Sequence, residues 1–306
     1  MEDHDIEKYL QDCTLCPRNC HVNRTAGKKG FCGMGAELTA AKAYNHMWEE
    51  PCLTGSHGSG TVFFSGCNLK CIFCQNRDIS TGKKGSVITV EQLAKAFLKL
   101  QENKAANINL VTGVCFIPHI IKAVMEARKA GLYIPVVYNS SGYESLASLQ
   151  LLKGTVDIYM PDFKYMSPDN SGEFSKAPDY PDVVKGAIAE MFSQTGPAEF
   201  DKNGLMKKGV LVRHLVLPGQ VADSKRILRY LHDTYGNDIY VSIMSQYTPT
   251  SSVADHPILN RKVSVEEYSR VLDFADSIGI EKGFTQEGEA ALESFIPEWD
   301  LEGLDN

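Results

Sequence analysis

The chain has no hydrophobic run approaching the roughly 18 residues of a membrane-spanning helix. Its first ten residues, Met-Glu-Asp-His-Asp-Ile-Glu-Lys-Tyr-Leu, hold acids where a secretory leader would hold bases and an apolar stretch. Both absences lead to the expectation of a cytoplasmic protein without a membrane partner. Repeats of solenoid period and low-complexity tracts are missing too, which excludes a stacked-repeat architecture. Bases are absent after Lys282, where seven acids follow: Glu287, Glu289, Glu293, Glu298, Asp300, Glu302 and Asp305. The net charge of −7 therefore sits in this tail, and the near-neutral body lacks a field that would draw nucleic acid.

Cysteine is plentiful. Nine of them in a cytoplasmic chain read as metal ligands or reactive thiols before disulfides. Cys67, Cys71 and Cys74 follow a strand-like run ending at Gly66, spaced C-x3-C-x2-C. Three thiolates in so short a loop suit a 4Fe–4S cubane with one cysteine on each of three irons and the fourth iron open. Phe73 adds an aromatic face beside that position. A zinc knuckle completed by a distant ligand is the alternative. A second set, Cys13, Cys16, Cys20 and Cys32, is self-sufficient for zinc or an auxiliary 4Fe–4S cluster, with His21 as a replacement ligand. Arg18, Arg24, Lys28 and Lys29 accompany it, and residues 13 to 35 contain no acid. These bases read as compensation for the thiolates rather than as a nucleic-acid surface, because no aromatic stacking platform goes with them. Cys52 and Cys115 are left over and read as small buried hydrophobes.

At 306 residues, 43% of them hydrophobic, the chain can build one large domain with a small appendage. Residues 1–58 form the cysteine-rich segment and its connection, 59–286 the main domain and 287–306 an acidic tail. From Thr61 the pattern alternates strand and helix six times. The strands are Thr61–Ser65, Ile108–Thr112, Ile134–Tyr138, Val156–Met160, Val210–Leu217 and Ile239–Met244. Capping boxes open two of the helices, at Thr89-x-x-Gln92 and Ser264-x-x-Glu267. Continuous Val/Ile/Leu runs between amphipathic helices indicate parallel strands buried on both faces. Six units fall short of the eight in a closed barrel. The expected fold class is α/β, a partial (β/α)6 TIM-like barrel with a small N-terminal Cys-rich metal-binding segment; an open doubly wound sheet is the alternative. The stretch Tyr165–Pro181 reads as a long loop, either a lid or a surface insertion.

The strand, the spacing, the aromatic and Asn68 together resemble the radical S-adenosylmethionine (SAM) superfamily. Gly66–Asn76, Asp162-Phe-Lys164 and Leu217-Pro-Gly219 are similar to the glycyl-radical-enzyme activases. With the amino-terminal Cys-x2-Cys-Pro-Arg-x-Cys and Trp48-Glu-Glu-Pro-Cys52, the whole chain resembles the pyruvate formate-lyase-activating-enzyme-like branch. The resemblance implies an oxidoreductase whose 4Fe–4S cluster, on Cys67, Cys71 and Cys74, reductively cleaves SAM to methionine and a 5′-deoxyadenosyl radical that abstracts hydrogen. An electron donor such as flavodoxin or ferredoxin would serve it, and a glycyl-radical protein would be its substrate. A small molecule or a different protein is the alternative substrate, and a non-enzymatic metal module contacting nucleic acid is a third reading.

By the same resemblance Lys164, with Asp162, meets the methionine end of SAM, and Asn139 and Ser140 stand where activases place Asp-Thr. Arg213 reads either as a site cation or as a brace for a carboxylate; His214 points to the opposite face of its strand. Gln246 and Tyr247 read as pocket lining or as a polar cap. The chain departs from the pattern after the second strand, where Thr112-Gly-Val-Cys115 replaces Gly-Gly-Glu and Cys115 stands in place of a histidine.

Overall fold

The computed structural model describes residues 3–286 and 297–304. In chain order the elements are α1 (Asp3–Gln11), β1 (Thr39–His46), α2 (Pro51–Thr54), β2 (Ser59–Phe64), α3 (Arg77–Ser80), β3 (Ser86–Val87), α4 (Val90–Glu102), β4 (Ile108–Val111), α5 (Ile117–Lys129), β5 (Val136–Ser140) and α6 (Leu146–Leu152). There follow β6 (Ile158–Pro161), α7 (Pro168–Ser175), α8 (Tyr180–Thr195), β7 (Glu199–Phe200), β8 (Met206–Leu215), α9 (Val221–Tyr235), β9 (Tyr240–Met244), α10 (Val265–Ser277) and β10 (Gly283–Thr285). Both expected capping boxes form: the Thr89 and Ser264 side chains accept from the backbones of Gln92 and Glu267, which reach back in turn. Val90, Leu93, Phe97 and Leu100 make the buried stripe of α4.

The main sheet runs β10-β9-β8-β6-β5-β4-β2-β1-β3, and its strands from β2 to β10 pair in parallel. From β2 to β10 the parallel strands follow chain order, while β1 and β3 extend the other edge. A doubly wound sheet would reverse direction at a switch point; this parallel run does not, and the described strands do not close on themselves. The fold is α/β with a mostly parallel, partial-barrel sheet.

Strand alternation divides the core into two layers. Leu110, Tyr138, Tyr159, Val210 and Val212 face outward into the large cluster under the helices. Val137, Ile158, Met160 and Leu211 face inward and meet Cys52 and Leu53 of α2, which fill the lumen from below. Cys52 is thus a small buried hydrophobe, as expected.

Three segments differ from expectation. Residues 36–60, read as a connection, supply β1, antiparallel to β2, and the plug α2. The run Thr39-Ala-Ala-Lys-Ala-Tyr-Asn-His is too polar and alanine-rich to announce a strand; its ladder to β2 makes it one. The Tyr165–Pro181 stretch is a packed brace rather than a loose lid. It contains α7, buries Tyr165, Phe174 and Tyr180, and is pinned where the Met166 N–H donates to Asp223 at 3.0 Å. The acidic tail is partly docked: Lys42 pairs with Asp300 at 2.9 Å and Glu302 at 3.0 Å, and Trp299 stands edge-on to Phe63. Glu287, Glu289, Glu293 and Asp305 lie outside the described residues. No helix among the described residues is long and apolar enough to cross a membrane.

Behind β5, Glu144 is buried and accepts a 3.2 Å hydrogen bond from Tyr138. Burial pushes its carboxyl up from 4.5 to about 8. The folded state therefore holds a proton that the unfolded chain has released, and this group erodes stability as pH rises from 4.5 to about 8. Glu144→Gln is expected to flatten that part of the profile in urea unfolding; an unchanged slope would assign it to other groups.

Candidate functional site

The cluster loop starts where β2 ends. Gly66 has φ +82°, and a side chain there would run into Met34, so only glycine turns the chain this sharply. The loop is then tied on several sides. The Gly66 N–H donates to Ile79 O at 2.8 Å, and that of Ile72 to Phe174 O at 2.9 Å. Buried Asn68 donates to Tyr143 O. Hydrogen bonds also reach the sulfurs: the Leu69 N–H donates to Cys67 Sγ at 3.4 Å and the Ser175 hydroxyl to Cys71 Sγ at 3.0 Å. The Cys74 thiol donates to Ser80 Oγ at 3.6 Å.

Burial, and then the neighbouring charges of Cys71 and Cys74, push the Cys67 thiol up to about 12. Cys71 is also raised by burial, against the Lys164 cation. Neighbouring thiols such as Cys67 and Cys71, which resist ionisation singly, suit a shared cationic centre that removes their mutual repulsion. Among the described residues no three His, Cys, Asp or Glu side chains close on one point as ligands of a single ion would. Ligands of a cubane occupy separate irons and need no such convergence.

Cys71, Phe73 and Cys74 line a cavity of about 200 Å³ with Asp162, Lys164, Arg213, Gln246 and Tyr247. A second cavity of about 180 Å³, lined by His46, Trp48, Glu49 and Asn139, shares Gln75, Asn76, Arg213 and Gln246 with the first. Both open at the carboxyl ends of the parallel strands, on the inward face. Phe73 and Tyr247 meet edge to face at 5.7 Å.

A charge network divides the two chambers. Lys164 Nζ lies 2.6 Å from Asp162 Oδ2, and Arg213 Nε 3.1 Å from Asp162 Oδ1. Arg213 also reaches Glu49 Oε2 at 3.4 Å and donates to Asn139 Oδ1 at 2.8 Å, while Asn109 donates to Glu49 Oε1 at 3.0 Å. Burial alone would raise the Asp162 carboxyl, but the Lys164 and Arg213 cations overcome it and hold the group below the ordinary range. Glu49 goes the other way: burial lifts it to about 7 against the pull of Arg213. His46 is pushed down to about 4 by burial and by Arg213, so it is neutral near pH 7.

Most expected site residues converge. Phe73, Asn139, Asp162, Lys164 and Arg213 reach the two chambers with Cys71 and Cys74, while Cys67 lines neither. The Lys164–Asp162 pair is sequestered, at 18% and 16% side-chain exposure, and is not a surface ornament. Arg213 both braces carboxylates and lines the cavities. Ser140 is a correction. It follows Asn139 on the opposite strand face, and its hydroxyl accepts from the Gly142 N–H at 3.2 Å. His214 also faces away, bound to Phe163 O at 2.7 Å and Ser224 Oγ at 2.9 Å. Glu49, His46 and Asn109 were not anticipated. Their signal was the acidic pair before Pro51 in a stretch taken for a connection.

Cys16 is pushed up to about 12 by burial, with Cys32 and Cys13 close enough to add repulsion. A hydrogen bond from the Cys115 thiol brings Cys32 down to about 6 despite burial. Cys20 accepts from the Phe31 N–H at 3.4 Å. His21 pairs with Asp12 at an exposed position, 2.8 Å away, and does not join the thiols. Arg18 donates to Asn68 O at 2.9 Å and packs over Phe31 at 3.9 Å; it stitches this segment to the cluster loop.

The sequence model of the Radical SAM superfamily matches residues 61–231. An uncharacterized protein of Methanocaldococcus jannaschii is 31% identical over 282 residues, which is 89% of this chain and 76% of that protein. The pyruvate formate-lyase-activating enzyme of Clostridium pasteurianum is 26% identical over 130 residues, 40% of this chain and 53% of that enzyme. The crystal structure of a radical SAM methyltransferase from Sphaerobacter thermophilus superposes with a TM-score of 0.50 at 17% identity, covering 74% of this chain and 66% of that one. At that identity the likeness is one of fold.

Asp162 offers the sharpest test of the network. Asp162→Asn leaves Lys164 without its carboxylate and Arg213 with one fewer, and is expected to cost about 3–5 kcal/mol of stability. Because the folded carboxyl sits below its ordinary 3.8, its contribution is present above that pH and is lost as pH falls through the lower folded value. The variant should therefore lose part of the wild-type acid-unfolding transition. A stability loss under about 1 kcal/mol, the scale of an exposed pair, would overturn this account.

Proposed function

Because the chain belongs to the radical SAM superfamily and is a radical SAM enzyme, we propose that its first chamber seats SAM beside a 4Fe–4S cluster held by Cys67, Cys71 and Cys74. When bound, the cluster supplies one electron that cleaves SAM to a radical able to abstract hydrogen. The observation that carries the site assignment is the meeting of Lys164, Asp162 and Arg213 with Cys71 and Cys74 in one cavity. Lys164 and Arg213 offer cations for a carboxylate. Asp162 offers acceptor oxygens for an amino group, and Gln246 and Asn139 offer amides for hydroxyls. Phe73 and Tyr247 form an apolar wall that keeps water from the reacting end. The protein thus binds and orients while the cofactor does the difficult chemistry.

The second chamber is the place for the group that loses hydrogen. Activation of a glycyl-radical partner protein, with flavodoxin or ferredoxin as electron donor, is supported by the partial match to a pyruvate formate-lyase-activating enzyme. A small polar substrate is the second reading, supported by the chamber's size of about 180 Å³ and its charged lining of Glu49, His46 and Arg213. Nucleic-acid binding loses its footing, since Arg18 and Arg24 are spent on internal contacts. In this reading residues 1–58 carry a second metal centre, zinc or an auxiliary 4Fe–4S cluster, and 59–286 carry the catalytic part. An oxygen-sensitive centre of this kind suits the reducing cytoplasm.

Two measurements test the proposal. After anaerobic reconstitution, Cys71→Ala should abolish 5′-deoxyadenosine formation while Cys16→Ala keeps a measurable fraction; equal loss in both would remove the division into catalytic and auxiliary sites. Incubation with SAM, reductant and a candidate glycyl-radical enzyme should give a doublet in electron paramagnetic resonance. Silence there, with 5′-deoxyadenosine released in step with a small polar compound, would decide for the second reading.

A further inference from the structure

Three groups stand in a row behind the cluster loop. Tyr165 and Ser175 are 1% and 0% exposed, and their hydroxyl oxygens lie 2.7 Å apart. Ser175 Oγ in turn lies 3.0 Å from Cys71 Sγ. A sulfur bound to metal carries no proton and can only accept. Ser175 has a single hydroxyl proton; once that points at Cys71, Tyr165 must donate to Ser175. Both hydroxyls then face the same way, and each bond strengthens the next. The other two sulfurs are served differently. Cys67 accepts from the Leu69 backbone at 3.4 Å. Ser80, 3.6 Å from Cys74, spends its proton on Arg77 O at 3.3 Å. Among the described residues Cys71 is the one of the three that accepts from a side-chain hydroxyl.

We propose that Ser175, backed by Tyr165, is a positioning residue that sets the reduction potential of the 4Fe–4S cluster through the sulfur of Cys71. This rests on the reading of Cys67, Cys71 and Cys74 as cluster ligands and deepens it. On one-electron reduction by an external donor, negative charge builds on the ligand sulfurs, and both hydroxyls keep their protons. An O–H aimed at one sulfur favours the reduced form over the oxidised one, which raises the potential. Burial of both hydroxyls keeps water from diluting the effect. The cluster is then easier for its donor to reduce and a weaker reductant toward SAM. The geometry of the row is held from several sides. Ser175 is the last residue of α7, which Lys176 ends at φ +54°. Arg18 donates to the carbonyls of Ser175, at 3.4 Å, and of Lys176, while its Nε holds Asn68 O of the cluster loop at 2.9 Å. The Tyr165 ring is fixed edge-on to Tyr180 at 5.5 Å and tilted against Phe174 at 6.1 Å.

The test reads a potential rather than turnover. The full chain is reconstituted anaerobically without SAM, and the loop cluster is identified as the electron paramagnetic resonance component missing from Cys71→Ala. In a redox titration of that component, Ser175→Ala should titrate at a more negative potential than the unaltered protein, at the same iron content. Tyr165→Phe, which leaves the Ser175 hydroxyl in place, should shift the same way by less. Pulsed measurements on the reduced cluster should show a proton coupling that disappears in D2O and is absent from Ser175→Ala. Both variants titrating with the unaltered protein, or a proton coupling that survives in Ser175→Ala, would overturn the assignment. So would loss of iron from Ser175→Ala, which would make the hydroxyl a support for assembly. A shift in Ser175→Ala without one in Tyr165→Phe removes Tyr165 from the relay. Absence of any Cys71-dependent signal would overturn the cluster ligands themselves. The radical SAM reading is decided separately, by 5′-deoxyadenosine formation in the unaltered protein.

Discussion

Arg213 ties together the carboxyl ends of the parallel strands. From the inward face of β8 it reaches Asp162 after β6, Asn139 at the end of β5 and Glu49 before α2. Such a network does not exist for stability. Apolar residues of similar volume would satisfy the same space at equal or lower free-energy cost. What it provides is a set of preoriented charges at a fixed place beside Cys71 and Cys74, where an incoming charged group need not reorganise its surroundings. The strands supply the rigidity. Because alternate residues face the lumen, register sets Asp162 opposite Arg213, and Asn139, level with Met160 one inward position earlier, faces the same side.

The cluster loop depends on a second layer of contacts that the barrel does not provide. Arg18 binds the carbonyl of Asn68 from the amino-terminal segment, α7 offers Ser175 to Cys71, and the backbone of Phe174 receives Ile72. The cysteine-rich segment and the stretch read as a lid or a surface insertion are thus both buttresses of the same loop. A loop with three ligands must keep its sulfurs in place before any metal arrives, since misplacement by even an ångström costs a preorganised site much of its use.

The sequence disclosed what periodicity and spacing encode. Parallel strands buried on two faces, two capping boxes and the C-x3-C-x2-C loop were legible because each follows from a local rule. Chain-order winding was inferred from the count of units, and the sheet order supports it. Contacts made at a distance were not legible. β1 carries too little hydrophobic signal and becomes a strand by pairing with β2. Ser140 was placed in the site because, with Asn139, it stands where activases place Asp-Thr, but adjacent residues on a strand face opposite ways. Glu49 was passed over because nothing near it in sequence predicts Arg213 as its neighbour. Cys115 looked like a core residue, and its burial is real; only the folded chain puts it beside Cys32.

The same arginine gives the two chambers opposite acid–base character. Asp162, held by two cations, stays an anion well below neutrality, whereas Glu49, more buried than compensated, titrates near pH 7. In the proposed reading, a ligand carboxylate in the first chamber would compete with Glu49 for the guanidinium, and the pull that keeps Glu49 from rising further would weaken. The side chain that would carry this coupling is the one that already spans Asp162 and Glu49.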